Sequence, residues 1–207
     1  GDIVIAKFIN DDKTYFANRF FTSPGKKEYF DDRGDNMQKA FLRAPLDFAY
    51  ISSHFNPNRM HPVLHTIRAH NGVDYAAKRG SPVRATGDGT ISYMGQRGGC
   101  GKEILIKHSN EYSTRYCHLE KFQKNIKKGS RVEQADVIGF VGSTGLATGP
   151  HLHYEFKVGN KHTDPVKVKL PSAEPISQNL KTSFDTLVLE NKLLLKEFTK
   201  LLPNENE

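Results

Sequence analysis

Residues 46–171 are built from short β-rich runs, and no segment of helical periodicity longer than about two turns interrupts them. The runs are "SPVRAT", "GTISYMG", "KEILIKHS", "EYSTRYCHL", "DVIGFVG" and "LHYEFKVG", and Gly, Pro, Asn and Asp punctuate the gaps. Chains of this texture fold as antiparallel sheets, because short strands joined by tight turns pair with their sequence neighbours. The expected fold is mainly β, an antiparallel sandwich or barrel-like core. "KEILIKHSNEYSTRYCHL" reads as a hairpin with its turn near Ser109-Asn110-Glu111.

The two ends differ from this core. Residues 1–44 carry the runs "DIVIAKF", "KTYFANRFF" and "KKEYFDD" with turn signals "NDD" and "SPG" between them, which predicts a small antiparallel β segment. "NMQKAFLRAP" reads as a short helix or turn ending before Pro45. Residues 172–207 change period. Leu180, Phe184, Leu187, Leu194 and Phe198 recur at helical spacing behind Ser177, a suitable N-cap, and ahead of Pro203, a stop. The expectation is a helix docked on its own chain, with self-association as the alternative. The division expected is 1–44, 45–171 and 172–207.

Charge narrows the function classes less than the motifs do. Thirty Lys and Arg against 23 Asp and Glu give a formal net charge of +7. That balance favours anionic partners without choosing among nucleic acid, anionic polymers and membrane surfaces. No apolar run approaches the roughly 20 residues needed to cross a bilayer, and no signal segment is legible. Cys100 and Cys117 form no C-x-x-C pair, so a zinc knuckle is disfavoured; free thiols and a mutual disulfide both stay open.

The chemistry concentrates in histidines. In "TGPHLHYEF", His151 and His153 are two residues apart, so on a strand they share one face with roughly 6.5–7 Å between them. That spacing suits one metal ligand and one neighbour acting beside it. In "HNGVD", His70 and Asp74 flank an Asn-Gly turn. Imidazole and carboxylate both bind zinc, and three protein ligands with one open position is the catalytic pattern. His70, Asp74 and His153 supply that count, and His118 ends the strand in "RYCHL". Each residue alone has a blander reading, since a single strand histidine is more often a surface or core residue than a ligand. His54, His61, His65, His108 and His162 have no comparable context, and His108 reads as structural or exposed.

"HNGVDYAAKRGSPVRATGDGTI", "KEILIKHSNEYSTRYCHL" and "VGSTGLATGPHLHYEF" together resemble, in order and spacing, the M23 family of zinc metallopeptidases, the lysostaphin-like or LytM-type peptidoglycan endopeptidases. The resemblance covers about residues 51–171. "KAFLRAPLDFAYISSHFNPNRMHPV" is similar to the approach segment of Gram-negative members that carry LysM and other amino-terminal modules, and the amino-terminal strands resemble the remnant of one. The resemblance implies zinc on His70, Asp74 and His153, with His118 and His151 as the catalytic pair. No motif position is substituted. It implies cross-linked peptidoglycan as substrate, cleavage of the D-Ala to meso-diaminopimelate bond, and a periplasmic or cell-envelope location. A regulatory protein partner would be in keeping with it. Alternatives are a D,D-carboxypeptidase and a non-enzymatic wall-binding or amidase-activating module. A nucleic-acid-binding β-domain has no recognisable motif behind it.

Zinc with an open position activates water for attack on a carbonyl, and an imidazole in the place of His118 or His151 is the kind of group that moves protons or meets the oxyanion. There is no H-E-x-x-H, so a Glu base of that type is absent. "NPNRMHPVLHTIR" and "GQRGGCGK" read as long loops that border the substrate groove.

Overall fold

The structure is a computed structural model, and it describes residues 1–10, 12–48, 50–59, 69–108 and 111–201. The chain divides into two compact units, one of residues 41–169 and one of residues 1–40 with 170–207.

In the unit of residues 1–40 and 170–207, β1 (Ile5–Asn10), β2 (Lys13–Ser23) and β3 (Lys26–Phe30) form an antiparallel meander. Gly25 takes φ +80 in the turn between β2 and β3, a conformation a side chain would strain. The helix expected at the other end is α1 (Gln178–Leu201), which begins directly after Ser177. The first half of its apolar stripe is docked. Phe184 and Val188 are buried in one core with Phe20, Phe30 and Ile176, and Leu180 and Leu187 pack against it. Phe184 meets Phe20 and Phe30 edge to face at 5.5 and 5.6 Å. The second half differs from expectation: Leu194 and Phe198 are exposed. The two ends of the sequence, read as separate attachments, share this core.

"NMQKAFLRAP" forms bends and isolated bridges instead of the expected short helix or turn element. Asn36 accounts for the change: its side-chain oxygen accepts the Gln38 N–H, a local bond that competes with helix formation.

Residues 41–169 hold two antiparallel sheets. β10 (Leu119–Phe122), β12 (Val137–Val141) and β6 (Pro82–Arg84) form the smaller. The larger runs in the order β11 (Arg131–Val132), β7 (Gly89–Arg97), β8 (Gly101–Lys107), β9 (Tyr112–Cys117), β13 (His151–Val158), β5 (Val73–Ala76) and β4 (Tyr50–Ser53), and β14 (Lys161–Thr163) pairs with β13. β8 and β9 form the expected hairpin, but Ser109 and Asn110 of its turn lie outside the described residues. The mainly β, antiparallel expectation therefore holds. β13 alternates strictly: Leu152, Tyr154 and Phe156 are buried in the core, while His151, His153 and Glu155 take the other face. Thr86 satisfies the buried hydroxyls, bonding Tyr116 and Tyr154 at 3.0 and 2.9 Å.

Candidate metal centre

Three segments deliver the sequence-predicted residues to one place. β13 lies between β5 and β9, and its register sets His153 opposite Asp74 on one side and Cys117 on the other. Directly opposed residues of an antiparallel pair bring their side chains together on one face, so Asp74 and His153 meet. His70 arrives four residues earlier, in a bridge with Asn56. The glycine of "HNGVD" has a steric reason: a Cβ on Gly72 would stand 2.9 Å from the His153 ring and 2.4 Å from the Tyr154 carbonyl.

His153 Nδ1 lies 2.7 Å from Asp74 Oδ1 and 3.2 Å from His70 Nε2, and His70 Nε2 lies 3.1 Å from the same Asp74 oxygen. Each histidine commits its other nitrogen elsewhere. His70 Nδ1–H donates to the His54 carbonyl at 2.7 Å, and His153 Nε2–H donates to Glu155 Oε1 at 3.2 Å. Those bonds fix both rings with His70 Nε2 and His153 Nδ1 facing Asp74, so that an ion taken up there would find one ligand nitrogen on each ring. The donor set of two nitrogens and one carboxylate oxygen suits zinc. Bonds of about 2.0–2.1 Å in tetrahedral array would separate the donors by roughly 3.3 Å, so the triangle fits an ion after a small spread.

Electrostatics agree with a site built for positive charge. Burial opposes ionisation of Asp74, yet hydrogen bonds from His153 and His70 hold its carboxyl well below the usual range. Burial alone would push His153 down, but the Asp74 and Glu155 carboxylates raise it to about 9. Glu155, also against burial, is held down to about 2 by His153 and the Arg115 and His162 charges.

His118 and His151 flank this triangle. Their ring centroids are 4.6 Å apart, and His118 is 6.1 Å from His153. His151 Nε2 lies 3.9 Å from Asp74 Oδ1, while its Nδ1–H donates to the Gly149 carbonyl at 2.9 Å. His118 Nδ1–H donates to the Thr144 carbonyl at 2.8 Å, and its own N–H to the Cys100 carbonyl at 2.8 Å. In both neutral rings Nε2 is left as the acceptor. His118 has φ 60, a left-handed backbone that a non-glycine residue holds only when its surroundings enforce it. The Cys100–Cys117 disulfide is part of that enforcement, and it resolves the open cysteine reading. Burial lowers the His118 pKa, and the Thr144 carbonyl opposes this only partly.

"GQRGGCGK" touches the site through Cys100, but it is not the long loop expected: it is the end of β7, a single 3-10 turn at Gly98–Cys100 and the start of β8, because the two strands pair across it as a hairpin. Residues 60–68 of "NPNRMHPVLHTIR", with His61 and His65, lie outside the described residues. His108 is structural, bridging the Asp88 carbonyl and the Thr114 hydroxyl at 2.8 and 2.7 Å. The sequence reading missed Glu155 and His162, which bond each other at 3.0 Å. Alternation was the usable signal for Glu155, since "HLHYE" puts positions 151, 153 and 155 on one face. Nothing in the sequence pointed to His162 or to the His54 and Thr144 carbonyls.

The model for peptidase family M23 matches residues 68–165. Peptidoglycan DD-endopeptidase ShyC of Vibrio cholerae serotype O1 is 42% identical over 202 residues, which are 98% of this chain and 46% of that protein. A zinc-containing peptidase from Vibrio cholerae has a solved structure that matches at TM-score 0.62 and 36% identity, over 82% of this chain and 51% of that one. The catalytic domain of EnpA, a prophage-encoded M23 protein from Enterococcus faecalis, matches at TM-score 0.50 and 30% identity, over 59% of this chain and 94% of that one. The chain therefore spans about half the length of both Vibrio proteins.

Proposed function

Because the chain belongs to peptidase family M23, we propose that it is a zinc-dependent D,D-endopeptidase that cuts the D-Ala to meso-diaminopimelate cross-link of bacterial peptidoglycan. One observation carries the reading: three donor atoms on His70, Asp74 and His153 converge within 3.2 Å, beside two further histidines whose Nε2 atoms accept no hydrogen bond among the described residues. Zinc held by those three residues would supply Lewis acidity toward a peptide carbonyl and an activated water.

The chain's own residues do the rest. His118, neutral near pH 7 because burial lowers its pKa, is set to accept a proton at Nε2. His151, locked by the Gly149 carbonyl, presents its Nε2 toward Asp74 as a second acceptor, and the ring that takes the proton of the attacking water can return it to the leaving amine. Either ring, once protonated, offers an N–H to the developing oxyanion. A net charge of +7 favours an anionic wall polymer as partner, and the substrate places the protein in the cell envelope.

The test is mass spectrometry of purified cross-linked muropeptide dimers after incubation with zinc-loaded protein. Conversion of dimers to monomers is expected. Loss of a terminal D-alanine alone would mean a carboxypeptidase. Intact dimers with stoichiometric zinc would mean a non-enzymatic module.

A further inference from the structure

Beside the candidate metal ligands lies a chain of buried charges that the proposed chemistry does not use. Glu155 is 5% exposed, and Glu103, on β8, is fully buried. A carboxylate removed from water is tolerated only when donors surround it. Arg115 donates to Glu103 and adds a longer ion pair to Glu155, whose donors are His162 and His153. It lies opposite Glu155 in the β9–β13 register. Its Nε donates to Glu103 Oε2 at 2.7 Å, and its Nη1 stands 3.6 Å from Glu155 Oε1. Arg97 reaches the other Glu103 oxygen at 2.8 Å, as an ion pair whose geometry falls short of a hydrogen bond. Glu155 then divides its own oxygens: Oε2 accepts His162 Nε2–H at 3.0 Å and Oε1 accepts His153 Nε2–H at 3.2 Å.

The geometry points to Glu155 as a positioning residue for metal binding, acting through His153 and itself anchored by Arg115 and His162. An imidazole has two nitrogens and can offer either. With Nε2–H committed to Glu155, His153 presents Nδ1 to the point where His70 Nε2 and Asp74 Oδ1 meet. Without that acceptor the ring is free to exchange its proton between nitrogens and to turn, and the triangle loses one corner for part of the time. Arg115 and His162 approach the carboxylate from β9 and β14, so it cannot swing away from His153. The purely structural alternative is that the network only ties strands together. In that case Glu103, the more buried carboxylate, matters as much to the metal as Glu155 does.

This inference rests on the metal reading above, and the experiment separates the two. Zinc affinity is measured by competition with a chromogenic chelator, on wild type, Glu155→Leu, Glu103→Gln and His162→Asn. Removing such a partner of a metal-binding histidine typically costs 10–100-fold in affinity, so Glu155→Leu, which leaves no acceptor, should weaken zinc by about that factor. Glu103→Gln touches no candidate ligand. It should lower the unfolding midpoint while leaving zinc Kd within about threefold of wild type. His162→Asn should fall between them. In the zinc-loaded wild type, nitrogen-15 histidine spectra should show His153 as the Nε2–H tautomer with a slowly exchanging proton; Glu155→Leu should lose that slow exchange. Equal zinc affinity in Glu155→Leu and wild type would overturn the inference, as would equal weakening by Glu103→Gln. If Glu155→Leu does not fold, unchanged affinity in His162→Asn overturns it instead. A wild type that binds no zinc would sink the metal reading first.

Discussion

Single side chains at this site divide into those that would hold the ion and those that would act beside it. His70→Ala, Asp74→Ala and His153→Ala should each lose most bound zinc, because three donors leave none to spare. Metal analysis of the purified variants decides this, and near-full occupancy in any one strikes that residue from the set. His118→Ala and His151→Ala should keep zinc and lose about 10²–10⁴-fold in turnover, measured as cross-link cleavage on the same preparations. Loss of zinc in His151→Ala would move that residue to the ligand set. His108 is of a third kind and acts on stability alone. Burial pushes the His108 pKa down against the pull of the Asp88 carbonyl and charge. The folded protein therefore holds a neutral ring where the unfolded chain takes up a proton near pH 6.5. The contribution is whole above about pH 6.5 and is lost as pH falls through the lowered folded value. His108→Gln should flatten the decline in stability between about pH 7 and pH 5, read by denaturant unfolding at several pH values. An unchanged slope refutes it.

At the scale of elements, the central fact is the position of β13. Its register against β5 and β9 converts a spacing of two residues in sequence into a ligand and a neighbour at one site. α1 shows the same dependence on partners. Its periodicity was legible, but only the stretch from Leu180 to Asn191 is covered, and Phe198 is left 60% exposed. Phe184→Ala should therefore cost about 3–5 kcal/mol, whereas Phe198→Ala should change stability by no more than about 0.5 kcal/mol. Unfolding of the two variants checks this, and similar losses in both would mean that the distal half of α1 is packed as well.

On the scale of the whole molecule, residues 41–169 and the paired chain ends each have their own core. Two thermal transitions are expected in calorimetry. Zinc should raise only the one that belongs to residues 41–169, by about 2.7 kcal/mol at a hundredfold excess over Kd, and a chelator should reverse it. A single transition that moves as a whole refutes this. The sequence by itself indicated most of the strands, the helix and the candidates His70, Asp74, His151 and His153, because period, turn chemistry and H-x(3)-D and H-x-H spacing are local properties of a chain; the role of His118 came from the family resemblance. Tertiary structure alone decided which histidine nitrogen faces Asp74, that Cys100 and Cys117 are joined, and that His162, Arg115 and Glu103 stand behind Glu155. Those facts depend on strand register and on side chains meeting from distant segments, and the free energy of burying a charge is settled only where its partners converge.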